Sequence, residues 1–327
     1  MKIGVIGSGF MGGVHVAAIE RIQGLTLTSV ASRTRPSADA PARGNLKHLK
    51  STPLPDHVQW YGDWREMLSD AELDAVDICL PTPMHRQVAL RAFELGKHVL
   101  CEKPMALTTE DCDVMMEAAT KSGRTFMIGQ VLRFMFPYRY ASTFVEQVGR
   151  SNITICTLSR RTGYPQWSEW LSREELCGGA IVDLLSHDID QALVLFGMPE
   201  SVSAVSEGEI DTMRGTLRYA DGLAVTIEGG WLAPDVPFSH GFELASGETS
   251  LSFKDDKLQR TTAGKEEQIE VAEEDAYLDE IAYFADCCAK QVPPERCMPS
   301  ESAEALRIAN LLRASREQNG KGLSCAR

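Results

Sequence analysis

The sequence predicts an α/β chain: a Rossmann-type, doubly wound parallel sheet followed by an α+β domain with an open, mostly antiparallel sheet. Short apolar runs alternate with helical periodicity up to about residue 130, the pattern of βαβ units. A glycine-rich turn follows the first run at once, where a dinucleotide-binding unit carries one. Beyond it, strand-like segments succeed one another between helices, which favours antiparallel pairing. The expected domains are 1–128, dinucleotide-binding, and 129–327, substrate-binding and oligomer-forming.

In chain order, KIGVI (2–6), LTLTSVA (25–31), AVDICLP (75–81), KHVLCE (97–102) and TFMIGQ (125–130) read as strands. GGVHVAAIERI, HRQVALRAFEL and TTEDCDVMMEAATKSG read as the helices between them. Gly96 and Gly123 stand where helix C-termini favour positive φ, and Thr108 with Asp111 resembles a capping box. The stretch 33–57 holds four prolines and a glycine where a crossover helix belongs, so a broken helix or long loop is expected. In the second half, helix 136–149 and a strand within 151–160 precede the run GGAIVDLLSHDID (178–190), expected as a helix. Strands follow in 200–208, 213–222, 223–231, 241–248 and 249–256, with Asp221-Gly222 marking a hairpin. Helices over 275–290 and 301–320 close the chain.

The formal net charge of -13 argues against a nucleic-acid backbone or an anionic membrane surface as partner. No apolar run approaches the roughly 20 residues of a membrane helix, and the N-terminus lacks the apolar core of a secretory signal. Nine cysteines without a C-x-x-C point to reduced thiols. The expectation is a cytoplasmic protein.

Gly7, Gly9 and Gly12 stand in G-x-G-x-x-G register between the first strand and helix. One glycine permits the tight turn, the next lets the backbone approach a pyrophosphate, and the third lets helix and strand pack closely. The N–H groups of the helix N-terminus then meet the phosphates. About twenty positions on, where an acid would select NAD, stand Ser32 and Arg33, with Arg35 close behind. They can donate to a 2′-phosphate, so NADP is expected over NAD; alternatively Arg33 stacks on adenine or stays in solvent.

Glu102-Lys103-Pro104 ends a strand at the sheet edge where ligands bind. Pro104 holds Lys103 out of helical conformation, so the lysine is placed either to stabilise charge on a substrate oxygen or to pair with Glu102 on a solvated loop. Pro81, Thr82 and Pro83 form a rigid turn before His85, which lines a cofactor pocket or is an ordinary first-turn histidine. Within 178–190, Asp183 and His187 share a face if the run is one helix. Taken bare they form a surface pair. A metal site with Asp190 lacks any recognisable ligand spacing, so no metal is expected. Tyr164, Trp167 and Trp170 supply either an apolar wall for a sugar ring or loop packing.

GVIGSGFMG, LPTPMH, GKHVLCEKPMALT, GQVLRF and GGAIVDLLSHDID resemble, in this order, segments of the Gfo/Idh/MocA family of glucose–fructose oxidoreductases, inositol dehydrogenases and relatives. The resemblance implies a Rossmann domain, then an α/β domain whose open sheet often forms a homo-oligomer interface. It implies catalytic roles for Lys103, Asp183 and His187. It places cofactor contacts at Gly7, Ser8, Gly9, Phe10, Met11, Gly12, Ser32, Arg33, Pro81, Thr82, His85, Glu102 and Arg133. In that reading His187 exchanges the hydroxyl proton, Asp183 orients it, Lys103 stabilises the oxygen, and Asp190 supports His187 or a substrate hydroxyl. The expected activity is NAD(P)-dependent oxidoreduction of a sugar, polyol or related hydroxy or keto compound. The alternatives are a glycosidase using transient oxidation by NAD and a non-catalytic NAD(P)-binding regulator.

Overall fold

A computed structural model describes residues 1–36, 54–70, 72–208, 210–271 and 273–326. Most of the proline-rich stretch 33–57 therefore lies outside the described residues. The first half runs β1 (Lys2–Ile6), α1 (Phe10–Ile19), β2 (Thr26–Ala31), β3 (Gln59–Tyr61), α2 (Trp64–Leu68), β4 (Ala75–Ile78), α3 (His85–Glu94), β5 (His98–Glu102), α4 (Thr109–Ser122) and β6 (Phe126–Gly129). It continues with α5 (Phe136–Val148), β7 (Ile155–Gly163), α6 (Glu174–Cys177), α7 (Gly179–Asp183), α8 (Ser186–Phe196), β8 (Ser201–Val205), β9 (Asp211–Arg218) and β10 (Ala224–Leu232). Last come β11 (Ser239–Ser246), β12 (Thr249–Lys254), β13 (Lys257–Thr262), β14 (Lys265–Ile269), α9 (Ala276–Lys290), α10 (Pro299–Glu317) and β15 (Leu323–Ser324).

Two compact units result: Met1–Val131 with Asp275–Ala303, and Leu132–Glu274 with Glu304–Arg327. A single cut at 128/129 thus misses the return of α9, which packs on α1 and β5 of the first unit. In that unit six strands pair in parallel in the order β3-β2-β1-β4-β5-β6, the doubly wound order with its crossing point at β1/β4. Every residue of β4 is buried, as befits a strand covered on both faces. The caps follow local chemistry: Thr108 Oγ accepts from Asp111 N–H at 3.2 Å, and Gly123 ends α4 at φ 64°.

The second unit carries nine strands in the order β14-β13-β12-β11-β7-β10-β9-β8-β15. All neighbours are antiparallel except β7 and β10. Helices α5, α7 and α8 pack on these strands. β7 alternates buried Cys156, Leu158 and Arg160 with more exposed Ile155, Thr157, Ser159 and Arg161. That period of two places one face against the helices and leaves the other for the small polar residues. The sequence reading lacks β3, α2, β13 and β14.

Candidate functional site

At the end of β1 the backbone itself is the functional element. A Cβ on Gly7 (φ 109°) would lie 2.2 Å from Cys79 O, and one on Gly12 would lie 1.9 Å from Gly7 O. A Cβ on Gly9 would meet nothing within 4 Å. Two glycines therefore serve close packing, and the third keeps backbone open at the start of α1. That helix has no side-chain cap, so its first N–H groups are available to an anion. Gly9 is exposed, and Ser8, Phe10 and Met11 are partly exposed around it. The dinucleotide fits this cradle on the chemistry of its donors.

At the end of β2, Ser32 Oγ donates to Thr34 O at 2.8 Å and accepts from Trp60 Nε1 at 3.2 Å. Its hydroxyl proton is engaged locally, while Arg33 and Arg35 are exposed. After β4, Pro81 is half-buried but Thr82 is only 3% exposed. His85 departs from the expected ligand contact. Its ring is buried, with Nδ1 3.0 Å from Pro104 O and Nε2 2.8 Å from Leu80 O. Burial pushes its pKa below the usual histidine value against the help of these carbonyls. His85 thus stands between the turn after β4 and the turn after β5, and a neutral ring donates to only one of the two carbonyls.

Glu102, the last residue of β5, is buried and its Oε2 accepts from Lys103 N–H at 3.1 Å. Lys103 is half-buried and precedes Pro104 through a cis peptide bond. The other Glu102 oxygen, Oε1, lies 3.0 Å from His15 Nε2, and His15 Nδ1 lies 2.7 Å from Asp77 Oδ2. Burial opposes charge on His15, but Asp77 and Cys79 together outweigh it, so the imidazole pKa is raised well above its ordinary value. Burial likewise opposes charge on Glu102, but His15 and then Lys103 hold its pKa below the usual carboxylate range. Sequence reading missed this cluster. The one available signal was Asp77, an acid inside an otherwise apolar central strand.

In the second unit the run 178–190 is not one helix. Gly178 and Gly179 both adopt positive φ, 77° and 72°, and a Cβ on Gly178 would lie 2.5 Å from Val182 Cβ. Asp183 closes α7; Leu184 and Leu185, both buried, interrupt the helix while their N–H groups converge on Ala180 O at 3.0 and 2.9 Å. His187 then stands in the first turn of α8, and both it and Asp183 are partly exposed. Half-buried Asp211 anchors the start of α7, accepting from Ala180 N–H at 2.6 Å and pairing with Arg316.

Asp190 is 1% exposed, and its oxygens accept from Arg133 NH2 at 2.7 Å and Nε at 2.9 Å, a pair that holds both side chains in the second unit. On the other side of His187, Arg160 of β7 donates to Asp188 at 2.8 and 3.3 Å. Tyr164 and Trp170 pack against the cluster of Cys177, Ala180, Leu184 and Trp231, with Tyr164 edge-on to Trp231 at 5.7 Å. They follow the packing alternative, whereas Trp167 is 41% exposed.

Two family models match the chain: the GFO/IDH/MocA oxidoreductase family with NAD-binding Rossmann fold over residues 1–130, and the GFO/IDH/MocA C-terminal domain over 145–245. The chain belongs to the Gfo/Idh/MocA family. Within it, levoglucosan dehydrogenase of Pseudarthrobacter phenanthrenivorans is 30% identical over 246 residues, 70% of this chain and 60% of that protein. The NADP(+)-dependent scyllo-inositol 2-dehydrogenase IolU of Bacillus subtilis is 28% identical over 210 residues, 62% of this chain and 61% of that one. The matched stretches thus span less than two thirds of these relatives. A solved levoglucosan dehydrogenase in complex with NADH shares the fold at a TM-score of 0.82 and 19% identity, covering 100% of this chain and 99% of that one.

Proposed function

We propose that this Gfo/Idh/MocA protein is an NAD(P)-dependent oxidoreductase acting on a sugar, polyol or related hydroxy or keto compound. The observation that carries the reading is the glycine cradle: open backbone at Gly9 on an uncapped helix, with Lys103 at the carboxyl end of β5 in the same sheet. The nicotinamide supplies the hydride acceptor or donor when bound. The chain's own residues handle charge and proton. Lys103 donates to the reacting oxygen and stabilises its developing negative charge. His187 takes the hydroxyl proton in oxidation and returns it in reduction, within the pH range where imidazole exchanges protons readily. Asp183 orients the imidazole. The arginine-bound Asp190 and Asp188 fix α8, and through it His187, from below.

NADP is the preferred cofactor in this reading. Support comes from the absence of an acid in the VASRTR segment that ends β2 and from exposed Arg33 and Arg35, with Ser32 held back by Thr34. The relatives named for levoglucosan and inositol favour a polyhydroxylated ring as substrate. The polar face of the nine-stranded sheet, with Thr157, Ser159 and Arg161 on β7, is the surface proposed to join subunits into a homo-oligomer.

A screen of sugars, polyols and keto-sugars with both cofactors, followed at nicotinamide absorbance, tests the activity. His187→Ala and Lys103→Ala should each lower kcat about 10²- to 10⁴-fold while the Kd for reduced cofactor stays within a few-fold. Near-normal turnover in both variants sinks the assignment. Equal kcat/KM for NADPH and NADH, or a preference for NADH, removes the cofactor preference.

A further inference from the structure

The first unit contains ionisable groups that the chemistry above leaves unused. Asp77 is wholly buried in the middle of β4, where an unpaired carboxylate is costly. Its partner is His15, also wholly buried, one turn and a half into the helix that the glycine cradle opens. The imidazole has a carboxylate near each nitrogen: Asp77 Oδ2 hydrogen-bonds Nδ1 at 2.7 Å, and Glu102 Oε1 lies 3.0 Å from Nε2, an ion-pair contact without hydrogen-bond alignment. Glu102 Oε2 in turn accepts the Lys103 N–H. Returning α9 covers the group with Tyr277, whose ring centre is 6.1 Å from that of His15, and with buried Glu280. Cys79 Sγ is 3.5 Å from both His15 Nδ1 and Asp77 Oδ1.

His15, Asp77 and Cys79 gather their ligating atoms within 4.8 Å of one another, which raises a metal site. The contacts answer it. Both imidazole nitrogens face carboxylates, so a doubly protonated ring matches the surroundings and offers no lone pair to a metal. Burial also pushes the Cys79 thiol up, away from the thiolate a metal would need.

We propose that His15 is a positioning residue for Lys103: an imidazolium held by Asp77, it fixes Glu102, whose second oxygen fixes the Lys103 backbone. Its chain of contacts runs from the cofactor-cradling helix through β4 to the catalytic turn after β5. The role rests on the function proposed above for Lys103, since a lysine without chemistry has nothing to lose from misplacement. Shifting a reacting group by about 1 Å costs on the order of 10²-fold in rate, so the effect falls on kcat.

The test is a double-mutant cycle. His15→Gln should lower kcat about 10- to 100-fold with cofactor Kd within threefold, yet change kcat less than twofold in a Lys103→Ala background. Residues acting through one another are non-additive in this way, whereas a general loss of packing is not. An equal loss in both backgrounds, or no loss in either, overturns the proposal. Where His15→Gln does not fold, Asp77→Asn replaces it in the same cycle with the same two outcomes. Independently, ¹⁵N-histidine spectra of the wild-type protein should show His15 as imidazolium at pH 7.5; a neutral tautomer there overturns the proposal whatever the kinetics. Lys103→Ala with normal turnover defeats the role proposed for Lys103, and His15's role with it. An inactive Lys103→Ala beside a fully active His15→Gln defeats the His15 role alone.

Discussion

The two units bury charge in opposite ways. In the second, each buried carboxylate has its own guanidinium: Asp190 with Arg133, Asp188 with Arg160. Arginine does not titrate in proteins, so the cation of each of these pairs is permanent. In the first, Asp77, Glu102 and Glu280 lie around a cation that is itself a histidine, with Lys103 beyond Glu102. Burial, reinforced by the charge of Glu102, raises the Glu280 pKa well above the usual carboxylate range, and neither of its oxygens has a hydrogen-bond partner. Burial thus favours its neutral, protonated form. One unit is held by fixed charges, the other by two protons.

The largest stability effect should come from breaking a fixed pair. Arg160→Leu strands Asp188 in the interior and should cost about 3–5 kcal/mol, read as a lowered denaturation midpoint. Arg160→Leu with Asp188→Leu should recover most of that loss, because the uncompensated charge is then gone. A single variant as stable as wild type would show that Asp188 is not charged there, and the contrast between the units would fail.

The next effect separates the units by pH. His15 and Glu280 both have folded pKa values raised above their unfolded ones. Each binds a proton in the folded state that the unfolded chain releases, so their stabilisation is complete below the unfolded pKa and declines as pH rises toward the folded value. The lowered histidines, His85 and His98 in the first unit and His240 in the second, act in the opposite sense. Burial pulls His240 to about 3, and the stability these three contribute is lost only as pH falls below about 6.5. Between about pH 6.5 and 7.5, below the range where unfolded thiols ionise, the slope therefore belongs mainly to His15 and Glu280, at up to about 1.4 kcal/mol per pH unit for each proton; above it the buried cysteines of both units, whose thiols burial also pushes up, add to it. Amide exchange should show the first unit loosening across that window while α5, β7 and α8 stay unchanged. Parallel behaviour of both units refutes the division.

The same contrast explains what the sequence disclosed. Strands β1, β2 and β4 to β6 announce themselves because strands buried on both faces are continuous apolar runs. The three-residue β3 shows no period, and β14, KEEQI, is exposed along nearly its whole length, so neither has a burial pattern to betray it. The glycine loop was legible because its constraints are local. The His15 cluster was not: its partners stand 62 and 87 positions away, at Asp77 and Glu102, and in the sequence His15 lies in an apolar helix stretch, GVHVAAI. Likewise the interruption at Leu184–Leu185 follows from where two buried leucines must point, which helical spacing alone does not encode. Asp183, His187 and Asp190 were found by motif, and the arginine partners of Asp190 and Asp188 only by structure.

The smallest effect is the most discriminating. Glu280→Gln replaces a neutral acid by a neutral amide of the same shape, so near pH 5 stability should change by less than about 1 kcal/mol. The difference should then grow in favour of the variant as pH rises. In the wild type the unfolded chain gains by ionising Glu280 above about pH 4.5, whereas the folded chain cannot follow without burying a second carboxylate beside Glu102. Glutamine removes that gain from the unfolded state and leaves the folded state as it was. In the window from about pH 6.5 to 7.5 the variant should keep mainly the slope due to His15, about half that of the wild type where both protons are fully coupled. A Glu280→Gln protein that is less stable at pH 8 than the wild type would mean the carboxylate is ionised and serves as a second counter-charge for His15. The first unit would then resemble the second, an ion-paired core rather than a protonated one.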